Sequence, residues 1–196
     1  MIKSKPVLLL VVCAAPPAAK VTELARLLCD DGWDVYPVLT EAAMAWVDLA
    51  SLETATGHSV KSEPRGPHEP KSLPRADGII VAPATFNTIN QWAAGINNTA
   101  ALGILNEALG SDTPVVASPY AKAVLTAHPA FNRNLELLTS AGVRFTPVDA
   151  LRPDTQDGPF LWAGLLNLLK RHLKGSHAAT PSEDMRDEPH GAMEDR

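Results

Sequence analysis

The chain has 196 residues, 45% of them hydrophobic and 20% charged, and a formal net charge of −5. That is enough apolar material for one domain with a sizeable core, and with no basic run it excludes nucleic acid as an expected partner. Two cysteines, Cys13 and Cys29, show no CxxC or Cys/His ligand spacing, which excludes a disulfide framework and a zinc site and fits a reducing cytoplasm.

The opening MIKSKPVLLLVVCAAPPAA joins two lysines to a short apolar run and small residues, as a secretory signal does. The competing reading, taken here, is a buried first strand over residues 6–13 that enters a helix near Ala18. Val and Leu in one unbroken run suit a strand covered on both faces. No apolar run reaches the roughly 18 residues that would span a membrane. KVTELARLLCDDG (20–32) is helical and closed by Gly32. DVYPVL (34–39) is the second strand, followed by Thr40 and a helical EAAMAWVDLA (41–50). Residues 51–75 are polar, rich in Pro and Gly, and read as mostly loop, with HSVK (58–61) as a candidate short strand.

GIIVA (78–82) is the third strand. NTINQWAAGINNTAALGILNEALG (87–110) reads as one or two helices, with Gly95 as the break. TPVVAS (113–118) is the fourth strand, and HPAFNRNLELLTSAGV (128–143) is a helix ending near Gly142. RFTPV (144–148) is the fifth strand, 149–159 a polar loop, and FLWAGLLNLLKRHLK (160–174) the last helix. Residues 175–196 lack apolar periodicity and read as a disordered tail, which leaves 1–174 as the single domain. Trp33, Trp46, Trp92 and Trp162 lie along helices or at their edges and are expected in the core or at an interface.

Strands alternating with helices imply a parallel sheet with helices on both faces, a three-layer α/β/α, flavodoxin-like or Rossmann-like domain. Ligands bind beyond the carboxyl ends of such strands. CAAPPAAK (13–20), Thr40, PATFNT (83–88) and SPYAK (118–122) should therefore converge. The first of these opens a helix, where free N–H groups attract phosphate, yet it contains neither GxGxxG nor GxxxxGK[ST]. Thr40 and Thr85 offer hydroxyls, and Asn87 offers a donor and an acceptor. Each could simply cap a helix. Grouped on adjacent strand ends, they point to a phosphate-bearing ligand.

APATFNT (82–88) followed by INQWAAGINN (89–98) resembles the PATANT block of the homo-oligomeric flavin-containing cysteine decarboxylases, the HFCD flavoproteins. VCAAPPAAKVTELARLL, DVYPVLTEAA and HPAFNRNLELLTSAGVR resemble three further blocks of that family in order and spacing, so the resemblance covers roughly residues 6–148. It implies FMN, with FAD also compatible. Its phosphate would lie on the first loop at Ala14, Ala15 and Ala18, with Thr40 facing the cofactor. Pro83, Ala84, Thr85, Asn87 and Thr88 would line the isoalloxazine and ribityl region, with Ser118 and Tyr120 beside them. The resemblance also implies a homo-oligomer, a trimer or dodecamer, and a substrate that is a cysteine-containing peptide or small cysteine conjugate. The activity implied is oxidative decarboxylation at the cysteine, with His68, nine residues before Asp77, moving the proton.

The chain also departs from the family pattern. Ala14-Ala15 stands where the family has Gly-Ser, and Pro16 and Pro17 remove two N–H donors. The family's substrate motif PAMNxxMW aligns with PYAKAVLT, so Lys122 replaces the Asn that grips the substrate carboxylate, and Lys can pair with a carboxylate as a point charge. No cysteine follows Cys29 to reduce the product, which argues against a complete coenzyme A pathway enzyme. The alternatives are a flavin prenyltransferase, for which Lys122 and Arg133 supply few phosphate contacts, and a non-catalytic flavin-binding accessory protein.

Overall fold

The computed structural model describes residues 4–64, 66, 68, 73–155 and 158–178. Five strands run β1 (Val7–Val12), β2 (Asp34–Leu39), β3 (Gly78–Ala84), β4 (Val115–Pro119) and β5 (Arg144–Phe145). All pair in parallel, in the order β2-β1-β3-β4-β5. The helices are α1 (Val21–Asp30), α2 (Leu49–Thr56), α3 (Phe86–Ala93), α4 (Ala100–Leu109), α5 (Ala123–Thr126), α6 (Pro129–Ser140) and α7 (Ala163–Ala178). This is the expected three-layer α/β/α, flavodoxin-like arrangement.

The unbroken apolar strands follow from burial on both faces. In β1, Leu8, Leu10 and Val12 pack with Leu24 and Leu28 of α1, Leu52 of α2, and Leu165 and Leu169 of α7. Leu9 and Val11 point the other way, onto the layer holding Ile89, Trp92, Leu105, Phe131 and Leu138 of α3, α4 and α6. Helix α1 buries Val21, Leu24, Ala25 and Leu28, the i, i+3, i+4, i+7 stripe of a one-sided helix. Three of the four tryptophans are buried as expected, and Trp46 is exposed.

Pro37 sits inside β2 without disrupting it because β2 is an edge strand. Its carbonyl accepts the Lys61 N–H at 3.0 Å on the side away from β1, so the missing Pro N–H also points outward. Lys61 returns a carbonyl to the Leu39 N–H at 2.8 Å. The candidate strand at 58–61 is thus a single parallel bridge, Val38 to Lys61.

Three boundaries differ from the sequence reading. Residues 41–50 are not one helix: a 3-10 turn spans Glu41–Ala45, and α2 then runs through residues expected to be loop. The reason is capping. Asp48 accepts the Ser51 N–H at 3.1 Å and the Ser51 hydroxyl at 2.7 Å, and Gly57 closes the helix in the left-handed conformation at φ 74°. Strand β5 stops after two residues, close to Pro147, which has no N–H to donate. Helix α7 begins at Ala163 and continues to Ala178, past the boundary expected at 174; the tail from 179 lies outside the described residues. The break at Gly95 is present, with φ 70°, and separates α3 from α4. Among the described residues, no helix is long and apolar enough to cross a membrane.

Candidate functional site

The chain reverses direction across the sheet between β1 and β3, the position where open α/β sheets hold ligands. Backbone hydrogen bonds continue past the strand ends and draw the loops level. The Thr40 N–H donates to the Val12 carbonyl at 3.0 Å, Cys13 to Pro83 at 3.2 Å, and Tyr120 to Ala84 at 2.9 Å. The same series reaches the fifth strand through the Asp149 N–H, 2.9 Å from the Pro119 carbonyl. These bonds bring together the four segments selected from the sequence.

Within the first loop, Pro16 and Pro17 supply no N–H, and the Ala18 N–H is bonded to the Ala15 carbonyl at 2.8 Å. The Ala14 and Ala15 N–H groups make no hydrogen bond among the described residues. Ala18 is fully buried, so it packs the turn against the sheet and does not itself present a donor. The 3-10 turn Pro16–Lys20 leads directly into α1. Thr40 precedes the second turn, and its hydroxyl caps nothing.

Thr85 is committed otherwise. Its hydroxyl oxygen accepts the Thr88 N–H at 3.4 Å as the cap of α3 and lies 3.1 Å from the Thr88 hydroxyl. Thr88 is buried, whereas Asn87 is exposed with its carboxamide unclaimed. Replacing Thr85 by Ala should lower stability by about 1 kcal/mol, the usual value of such a cap, as read by urea denaturation; a loss under about 0.3 kcal/mol would show that the cap is idle.

Beneath the two threonines lies Cys13, 1% exposed. Burial pushes its thiol up, and hydrogen bonds with Thr88 and Thr85 oppose that. Burial also raises the Cys29 thiol, which is half-buried and directed at the Ala55 carbonyl. A neutral, enclosed thiol reacts slowly. Iodoacetamide should therefore modify Cys29 first in the native protein and Cys13 only on unfolding; equal rates by mass spectrometry would contradict that order.

Ser118 is fully buried, and its hydroxyl is 2.8 Å from that of Thr146, so it joins β4 to the segment after β5. Tyr120 is half-buried at the end of β4, with the Arg152 guanidinium 5.1 Å above its ring. Lys122 is exposed at the start of α5 and has no ion pair among the described residues. His68 is an exposed turn residue, and several of its neighbours lie outside the described residues. His58 pairs with Asp34 at 2.7 Å and stacks on Tyr36 at the opposite end of β2.

A groove of about 810 Å³ opens elsewhere, between α4 and the segments 61–64 and 73–76, over Leu9 and Ile79. None of the strand-end residues lines it. The unclaimed donors lie on loops at the strand ends, so the candidate site is taken there rather than in this groove. The family resemblance implies that the loop 149–159 closes over the substrate, but the sequence did not reveal the individual roles of Asp149 and Arg152 within it. The only signal was an acidic residue closing the fifth strand, and nothing in VDALR announces a left-handed Asp.

A family model described as Flavoprotein matches residues 2–161. The coenzyme A biosynthesis bifunctional protein CoaBC of Thermococcus kodakarensis is 30% identical over 165 residues, covering 82% of this chain and 40% of its own length. Its Escherichia coli counterpart is 33% identical over 132 residues, covering 64% of this chain and 32% of its own. The chain thus spans two fifths or less of these relatives. Among solved structures, a PPC decarboxylase variant complexed with pantothenoylaminoethenethiol superposes with TM-score 0.69 at 21% identity, over 87% of this chain and 98% of that one. The FMN-dependent cysteine decarboxylase SpaF superposes with TM-score 0.68 at 22% identity, over 89% and 98%. The FMN-binding protein AtHal3 does so at 0.69 and 19%, over 90% and 100%.

Proposed function

The chain belongs to the flavoprotein family, and from that premise we propose that it is an FMN-dependent oxidative decarboxylase acting on a cysteine, at the C-terminus of a peptide or in a small conjugate. The observation that supports this reading is the series of backbone bonds, Thr40 to Val12, Cys13 to Pro83 and Tyr120 to Ala84, that draws the loops bearing Ala14, Ala15, Thr40, Asn87 and Tyr120 level at one end of the sheet. The donor set fits FMN. Two free backbone N–H groups and the Thr40 hydroxyl suit a phosphate, and none of these residues is acidic. Ala14 is a small, partly exposed residue beside the buried Pro83 and Ala84, and the Asn87 carboxamide is free to orient a bound ring. The names of the structural neighbours support the same chemistry for those proteins.

When bound, FMN would supply the two-electron oxidation of the substrate cysteine to the thioaldehyde level, which makes loss of its carboxylate as CO₂ feasible. His68 receives the thiol proton, a task suited to imidazole near neutral pH. The Lys122 ammonium holds the substrate carboxylate as a point charge where the family pattern has Asn. Tyr120 closes the side of the crevice. A homo-oligomer, trimer or dodecamer, is part of this reading, and light scattering measures it.

The test is the visible spectrum of the purified protein with added FMN, followed by incubation with Cys-terminated peptides and mass analysis for loss of CO₂ and two hydrogens. A flavin spectrum and that mass loss support the reading. A flavin spectrum without turnover on any thiol substrate favours the non-catalytic accessory protein, for which Pro16 and Pro17 in the phosphate loop are the specific observation. Formation of a prenylated flavin instead assigns the prenyltransferase reading. A protein that binds no FMN defeats all three.

A further inference from the structure

The segment after β5 is tied to the segment after β4 through Asp149 and its ion-pair partner Arg152. Asp149 is the only non-glycine residue among those described with positive φ, at 57°. Asp tolerates that conformation better than most residues, but Gly would hold it at no cost. The contacts made by its side chain explain why Asp stands there. Its Oδ1 accepts the Ala121 N–H at 3.2 Å, and its Oδ2 accepts from Arg152 Nη2 at 2.8 Å. Its own N–H donates to the Pro119 carbonyl at 2.9 Å, and its carbonyl accepts the Arg152 N–H at 2.8 Å. Arg152 in turn covers the Tyr120 ring. Beyond it, Leu151 is fully buried and its carbonyl accepts the Leu161 N–H at 3.1 Å, so the chain is anchored on both sides of this latch. Lys122 follows immediately after Ala121 and has no other tether of its side chain among the described residues.

We propose that Asp149 is a positioning residue for the substrate side of the site: by holding Ala121 and seating Arg152 over Tyr120, it fixes where Lys122 stands at the mouth of the crevice. This rests on the decarboxylase reading above. Asp149 sets the affinity for the substrate carboxylate; the cofactor loop and the chemical step lie on other strand ends and are untouched by it.

The test compares Asp149→Gly, which keeps the left-handed backbone and loses both side-chain contacts, with Asp149→Asn, which keeps an acceptor for Ala121 and also tolerates positive φ. Amide hydrogen exchange reads the latch in the full chain without needing FMN. In Asp149→Gly the Ala121 amide should exchange about tenfold faster, while Asp149→Asn stays within about threefold of the parent and the α4 amides do not change. With FMN and a Cys-terminated peptide, Asp149→Gly should raise KM about tenfold and leave kcat and the flavin spectrum within about twofold. Unchanged Ala121 exchange in Asp149→Gly, equal acceleration in both variants, or a loss of kcat at constant KM would overturn the proposal. If no thiol substrate turns over, the decarboxylase reading fails, and the exchange comparison alone decides whether Asp149 fixes the loop.

Discussion

Replacing His68 by Gln is expected to lower turnover by roughly 10²- to 10⁴-fold while leaving FMN binding intact. Gln keeps a side chain of similar reach with a donor and an acceptor, but it cannot carry a proton away from the thiol. His68 lies in a turn and is exposed, away from the first loop and Asn87 in sequence, so the fold and the cofactor contacts should survive the change. The informative measurement is anaerobic single-turnover reduction of the bound flavin by substrate, because it isolates oxidation from product release. A variant that reduces the flavin as fast as the parent would remove His68 from the mechanism and direct attention to a base outside the residues named here.

Replacing Phe131 by Ala should cost about 3–5 kcal/mol, the range for deleting a fully buried aromatic ring. Phe131 is completely buried in the layer formed by α3, α4 and α6. It also stacks on Phe86, with ring centroids 5.9 Å apart and planes 20° from parallel, and His128 meets the same ring edge-on at 5.7 Å. Three residues further along α6, Asn134 donates to Asn90 of α3 at 2.7 Å. Helix α6 therefore fixes the first turn of α3, where Thr85, Asn87 and Thr88 sit. Loss of the ring should loosen that turn, so FMN affinity should fall along with stability. Urea denaturation reads the first effect and flavin titration the second. A loss under about 1 kcal/mol would show that the surrounding side chains collapse into the space.

The parts of the fold that were legible are those where one physical constraint dominates. VLLLVV, GIIVA and TPVVAS are apolar on both faces because the sheet is covered on both faces, and the run itself reveals that. Gly95 marks the end of α3 because only Gly takes positive φ there freely. Helix α2 was misplaced because AMAWV looks as helical as LASLETAT. The choice was made by Asp48 and Ser51, whose capping bonds depend on geometry that composition does not encode. At the site, the grouping of Thr40, Thr85 and Asn87 was visible, but their division of labour was not. Thr85 commits its hydroxyl to α3, while the Thr40 hydroxyl and the Asn87 carboxamide stay free. Ser118 illustrates the same limit: its place at a strand end suggested a ligand contact, and only the position of Thr146 across β4 and β5 shows where its hydroxyl goes.

The margins of the sheet carry a further implication. A parallel sheet with bare edges invites strands from other chains to add on, the route by which many folded proteins form aggregates. Here β2 offers Pro37, with no outward N–H, and the flanking donor and acceptor are already taken by Lys61. At the far side, β5 ends after two residues, close to Pro147. Neither margin can template a sixth full strand. Among the described residues, assembly of this chain is therefore expected to use helix faces or the loops at the strand ends rather than strand addition.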